Sequence, residues 1–215
     1  MLRRFLFVQL ITAVLLAMMM FGPVRAESQL KVVATFSILG DMVRQVGGDR
    51  VKVTSLVGPD GDTHVYRPTP KAAKAIAQTK VLFINGLEFE GWIERLVESS
   101  GFKGRMITAT AGVEALKIEE EGHDDDHDKH GKKGHHDDHD KHGKRDGHEH
   151  HHHGEYDPHA WHSLANARIY VRNIVDGLAA ADPQGAKSYR ANAERYIKEI
   201  TSLELEMEKA IKSVS

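Results

Sequence analysis

LKVVATFSILGDMVRQVGGDRVKVTSLV, residues 30–57, sets the fold class. Its first part, Leu30–Phe36, is dominated by apolar and β-branched side chains and suits a buried strand. It runs straight into a segment opened by Ser37 and Asp41, where Ile38, Leu39, Met42, Val43 and Val46 recur at helical spacing. Gly47-Gly48 ends that segment. Val51–Val57 reads as a second strand. Strand, helix, strand in so short a stretch predicts two parallel strands joined by a crossover helix.

The same alternation continues toward the C-terminus. An alanine-rich helix is predicted from about Lys71 to Gln78. A third strand follows at Val81–Ile84, bounded by Asn85-Gly86, and Gly91-Trp92-Ile93 leads a helix to about Ser99. Met106–Thr108 is a short fourth strand. The expected fold is therefore α/β, a parallel four-stranded sheet with flanking helices, whose ligand site lies in loops beyond the carboxyl ends of the strands. After His162 the chain reads as helical to about Ala181, breaks at Asp182-Pro183 and restarts near Gln184. Tyr189, Ala193, Tyr196, Ile200, Leu203, Met207 and Ala210 then recur at spacings of three and four, which predicts one helix roughly 40–45 Å long at 1.5 Å per residue. Such a helix outreaches a small lobe, so the stripe Tyr196, Ile200, Leu203 and Met207 is expected to run uncovered beyond it.

In the other direction, Arg3 and Arg4 precede an apolar run from Phe5 to Phe21, and Val24-Arg25-Ala26 offers a small-residue cleavage pattern. Residues 1–26 are read as a secretory signal peptide cut after Ala26, which directs the mature chain to the periplasm rather than into the membrane. The 215 residues include no cysteine, so neither a disulfide nor an acylated cysteine is available within them. The expected organisation is a signal peptide (1–26), an α/β lobe (27–118), a disordered His/Asp-rich loop (119–154), a turn and helix completing the lobe (155–183), and a long linking helix (184–215).

Net charge is only −2, but residues 119–155 hold thirteen acidic and six basic side chains. The most charged tract thus has the wrong sign for nucleic acid, and no basic cluster is interleaved with aromatic residues. The same tract repeats Asp-His-Asp-Lys-His-Gly-Lys at 126–132 and 138–144 and has nothing apolar to bury against the entropy of ordering it. It carries twelve of the fifteen histidines: His123, His127, His130, His135, His136, His139, His142, His148, His150, His151, His152 and His153. Imidazole is the commonest protein ligand for late divalent first-row metals, so the tract is expected to bind several ions loosely.

Two other histidines sit in stiffer surroundings. His64 lies in GPDGDTHVYRPTP, residues 58–70, and His159 in DPHAWH, residues 157–162. Prolines restrict both loops, and Ser163 and Asn166 are placed to cap the helix that follows the second. We read His64 and His159 as metal ligands. Tyr66 or Asp62 is expected to supply the hydrogen bond that orients a ligating imidazole, and His162 to lie beside the ion rather than on it. Asp157 reads as a turn or cap residue. Glu88 and Glu90, at the end of the third strand, read as structural rather than site-facing. Imidazole donors favour Zn²⁺ over Mn²⁺, which prefers oxygen.

GPDGDTHVYRPTP, then VLFINGLEFEGW, an internal His-rich loop and YDPHAWHS, in that order, resemble the zinc-binding periplasmic component of metal ABC importers, the ZnuA-like cluster A-I solute-binding family, which also contains manganese binders. The resemblance covers residues 30–215. It implies two α/β lobes joined by one long helix, with the ion held between them by histidines from both. His64 and His159 would be the ligands of the first lobe. A further His and an Asp or Glu would come from a second lobe, which would begin where this sequence stops at Ser215. The implied role is delivery of Zn²⁺ to an ABC permease. A zinc buffer or chaperone acting through the tract is the alternative. A zinc hydrolase is disfavoured, since no H-E-x-x-H motif is present.

Overall fold

The apolar runs resolve into one parallel sheet. The structure, a computed structural model, describes residues 28–118 and 155–214; the expected signal peptide and the His-rich tract lie outside these residues. Strands β1 (Leu30–Phe36), β2 (Val51–Val57), β3 (Val81–Ile84) and β4 (Arg105–Thr108) are ordered β2-β1-β3-β4. Leu30 stands opposite Val51, Val32 opposite Val81, and Val81 opposite Arg105. All four residues of β3 are buried. Successive side chains of a strand point to opposite faces, so both faces of the sheet are covered.

Five helices provide the cover: α1 (Ser37–Gly47), α2 (Pro70–Ala77), α3 (Ile93–Ser100), α4 (Leu164–Ala181) and α5 (Ala186–Val214). The helix α1 packs on β1 and β2, α4 on β3 and β4, and α5 lies across both helices. Close approach is bought with glycine. A Cβ on Gly40 would fall 2.2 Å from Ser55 Oγ, and one on Gly177 would fall 2.8 Å from Ile107 and 3.1 Å from Phe83. The helices α2 and α3 pack together and bury Ile76, Ile93 and Leu96. Local chemistry sets the helix starts. Thr69 Oγ1 accepts the Ala72 N–H at 3.2 Å ahead of Pro70, and Ser163 Oγ accepts the Asn166 N–H at 3.4 Å.

Strand order reverses between β1 and β3, since β2 lies on one side of β1 and β3 on the other. Their carboxyl ends therefore open into a crevice, the usual place for a ligand in such a sheet. At the opposite end of the sheet a polar staple ties the long helix down. Arg50 donates from Nε and Nη2 to Asp182 Oδ2 at 3.0 and 2.9 Å, and the Tyr189 hydroxyl donates to the same oxygen at 2.6 Å.

The helix α5 has 29 residues, about 43 Å at 1.5 Å per residue. Tyr189, Ala193 and Ile200 are buried, while Leu203 and Met207 are half exposed at 48% and 49%. The expected bare stripe thus begins later than the sequence suggested. Ile200 is covered because α4 runs alongside, and Arg168 of α4 meets Glu204 at 2.6 Å.

Burial alone would raise the Asp182 carboxyl, but the Tyr189 hydroxyl, the Arg50 guanidinium and the Gly185 N–H outweigh it and hold it below its ordinary 3.8. A depressed folded pKa gives stability that is present above the unfolded pKa and lost as pH falls through the folded one. Asp182→Asn should therefore destabilise the chain at pH 7 by about 1–3 kcal/mol. In thermal melts across pH the gap from the parent should close below about pH 4.

Candidate metal centre

Three segments meet over the crevice: residues 58–69 after β2, 85–92 after β3, and 155–163 before α4. In the first, a turn closes with Gly61 N–H on the Gly58 carbonyl at 3.1 Å. Asp62 Oδ1 then accepts the His64 backbone N–H at 2.8 Å, an aspartate folding back on its own chain. Buried Trp92 anchors the loop from below by donating Nε1–H to the Thr63 carbonyl at 2.8 Å, and the Tyr66 ring lies against the Trp92 ring with centroids 4.8 Å apart.

The third segment repeats the device. Asp157 Oδ1 accepts the His159 backbone N–H at 2.9 Å and faces its ring Nδ1 at 2.7 Å. The backbone bond is the main reason the Asp157 carboxyl sits below its ordinary range, so it is ionised at neutral pH. An ionised acceptor at Nδ1 favours the tautomer with its proton there, which leaves the Nε2 lone pair facing outward.

That Nε2 lies 3.2 Å from Nε2 of His64. Two nitrogens sharing one tetrahedral zinc at 2.0–2.1 Å would stand about 3.3–3.4 Å apart, so the pair has the spacing of a chelate. An aromatic floor supports both rings. Phe89 lies 4.9 Å from His64 and 5.7 Å from His159 between centroids, and Trp161 lies 5.3 Å from His159. Phe36 and Phe89 are buried beneath, whereas the His159 side chain is 42% exposed and His64 is exposed.

The second segment is a strained turn. Gly86, Leu87 and Glu88 have φ of 89°, 55° and 59°, and the left-handed region costs an L residue roughly 1–2 kcal/mol. Glu90, 3% exposed, holds the turn: its carboxylate accepts the Thr35 hydroxyl, the Asn85 N–H at 2.7 Å and the Gly86 N–H at 3.2 Å. Burial nonetheless pushes its carboxyl up. Asn85 Nδ2 reaches across to the Pro158 carbonyl at 2.9 Å, and its Oδ1 accepts the Tyr170 hydroxyl at 2.6 Å.

The structure thus brings His64 and His159 together. Among the described residues no third His, Asp or Glu joins them, and His162 stands off, with its ring 6.4 Å from that of His159. Asp62 serves the His64 backbone, and Tyr66 packs on Trp92. Asp157, read from the sequence as a turn or cap residue, is that and also the partner of the His159 ring. The signal was present as Asp-x-His, which outside residues 119–154 occurs twice, at 62–64 and 157–159. Glu90 is structural, as expected, but supports the site's floor. The twelve tract histidines lie outside the described residues. The described chain leaves at Ile118 and resumes at Glu155, where Ile118 N–H meets the Glu155 carbonyl at 3.0 Å and Lys117 bridges Tyr156. The tract is therefore rooted a few residues from His159.

A family model described as ZnuA, zinc-uptake complex component A, periplasmic, matches residues 32–215. The manganese-binding lipoprotein MntA of Halalkalibacterium halodurans is 33% identical over 175 residues, 81% of this chain and 47% of that protein. A periplasmic metal binding protein from Candidatus Liberibacter asiaticus superposes with a TM-score of 0.67 at 29% identity, over 86% of this chain and 58% of that one. Zn(II)-bound AdcA from Streptococcus pneumoniae does so with a TM-score of 0.60 at 26% identity, over 82% and 31%. The chain spans about half the length of the curated relatives it matches.

Gly86 is the position where the turn admits no side chain, because its φ is positive and a Cβ would fall 2.5 Å from Thr108 Cγ2 and 2.8 Å from Thr110 Oγ1. Gly86→Ala should cost about 2–3 kcal/mol in urea denaturation.

Proposed function

The chain belongs to the family of the periplasmic component A of the zinc-uptake complex, and on that premise we propose that it captures a divalent transition metal, zinc foremost, for delivery to an ABC permease. The observation that carries the reading is the His64–His159 pair, with Nε2 atoms 3.2 Å apart and Asp157 behind one ring. Neutral imidazole suits borderline-soft Zn²⁺, and a carboxylate on the far ring nitrogen raises ligand basicity. Manganese is the competing cargo, since relatives such as MntA are named for it. Two imidazole donors weigh toward zinc. A tetrahedral site needs two more ligands, which water or groups outside the described residues would supply. The outward-facing site and the leader-like N-terminus fit a periplasmic location; among the described residues no helix is long and apolar enough to cross a membrane.

The His-rich tract favours a second reading, a zinc buffer in which the lobe is only a carrier. Twelve histidines rooted beside the pair would raise the local concentration of loosely held ions in either case.

Calorimetric titration separates the two. Deleting residues 119–154 should leave one saturable zinc site, and His64→Ala with His159→Ala should remove it. A deletion variant that binds no zinc would assign all binding to the tract and sink the capture reading. Manganese should displace zinc from the pair only in large excess. Zinc binding should weaken as pH is lowered from neutral, because protons compete for the same nitrogens.

A further inference from the structure

We propose that Asn85, locked by Tyr170, is a positioning residue for metal capture: its amide holds the Pro158 carbonyl and so sets the His159 imidazole at chelating distance from His64. The proposal deepens the reading of those two histidines as ligands and rests on it.

Asn85 is fully buried and every polar atom it has is engaged. Its N–H donates to Glu90, and its carbonyl accepts the Thr110 hydroxyl at 2.6 Å and the Thr110 N–H at 3.2 Å. The side-chain amide has two hydrogens to place. One goes to its neighbour, the Gly86 carbonyl, at 3.0 Å; the other crosses to the Pro158 carbonyl, 73 residues away in sequence. The first bond serves the turn itself. The second ties the end of β3 to the residue immediately before His159.

The Gly86 and Pro158 carbonyls, which can only accept, fix which way the amide points, and Tyr170 completes the arrangement on the other side. Its hydroxyl donates to Oδ1 at 2.6 Å, so a flipped amide would set an N–H against that hydroxyl and an oxygen against the Pro158 carbonyl. Tyr170 is itself fully buried in α4, and its position is set by core packing. A chain of contacts therefore runs from the core through Tyr170 and Asn85 to the His159 turn. The turn that carries Asn85 also carries Phe89, on which both imidazoles rest. One element thus fixes the His159 turn laterally and the floor beneath both rings.

A polar pair buried in a core is costly unless fully satisfied, and gains in definition of geometry more than in net stability. Pro158 is only half-buried, and what the Asn85 bond adds is a fixed position.

The test uses the full chain with Co²⁺ as probe and Trp161, 5.3 Å from the His159 ring, as a fluorescence reporter local to the site. The variants are Tyr170→Phe, Asn85→Asp, and His64→Ala with His159→Ala. Circular dichroism melts identify which are folded. Asn85→Asp should weaken the quenching titration by about tenfold or more, and Tyr170→Phe by about three- to tenfold. In both, the absorption band of the bound cobalt should shift at saturation, a change in ligand geometry that lost stability in a folded chain does not produce. Folded variants with the parent's affinity and band overturn the proposal. If Asn85→Asp does not fold, Tyr170→Phe decides alone. Absence of any quench in the parent that the double histidine variant removes would instead overturn the ligand reading, and this proposal with it.

Discussion

A parallel sheet whose order reverses beside its first strand has an opening at the carboxyl ends of β1 and β3, because the connections from those strands depart in opposite directions. The candidate ligands His64 and His159 both lie over that opening. Phe36 ends β1 beneath it, the Asn85–Glu90 turn leaves β3 at its edge, and the His64 loop leaves β2 alongside. The His159 segment comes from much later in the chain, yet it docks at the same place because the end of β3 offers it a hydrogen-bond donor. The sheet does not bind anything itself. It fixes the points from which short, stiff loops carry the polar groups.

What was legible in the sequence follows from how local each cause is. Strands and helices were readable because hydrophobic period is local, and the four-stranded parallel sheet with its long terminal helix followed from their order. His64 and His159 were readable as a pair because proline and glycine announce stiff loops. The partner of the His159 ring was not legible, since an aspartate two residues before a histidine makes a turn in either case and only three dimensions show that its carboxylate also reaches Nδ1. Asn85 and Glu90 were harder still. Asn-Gly reads as a strand terminator, and nothing in it discloses a contact to Pro158 or the consecutive positive φ values at 86–88. The coverage of Ile200 was likewise nonlocal, since it depends on α4 lying alongside α5 with Arg168 opposite Glu204.

The electrostatics of the crevice are divided by depth. Below, Glu90 is buried and its carboxyl is pushed up, with hydroxyl and amide donors as its partners. Above, the Asp157 side chain is about half exposed and its carboxyl is held down by the N–H groups of His159. The buried Phe36 and Phe89 pack with Trp161 between the core and the half-exposed His159. The deep carboxylate therefore acts on the fold, and the shallow one on the imidazole. Placing the ionised group outside the aromatic layer keeps it within reach of the ring without the cost of burying an unpaired charge.

Orientation and separation of the two imidazoles are controlled by different bonds. Each histidine is set within its own loop by an aspartate two residues upstream that accepts its backbone N–H, and for His159 the same carboxylate also faces the ring. Their separation is set between loops, by Trp92 holding Thr63 and by Asn85 holding Pro158. Both inter-loop anchors are buried donors from the 85–92 segment, pointing at the carbonyl of the residue immediately before a histidine. A carbonyl one residue away from the side chain it governs restrains the backbone while leaving the ring free to adjust its angle. The bonds that fix the separation of the two Nε2 atoms are thus distinct from those that set the rings, so under the proposed metal-capture role the ring angles could change without loss of chelating distance.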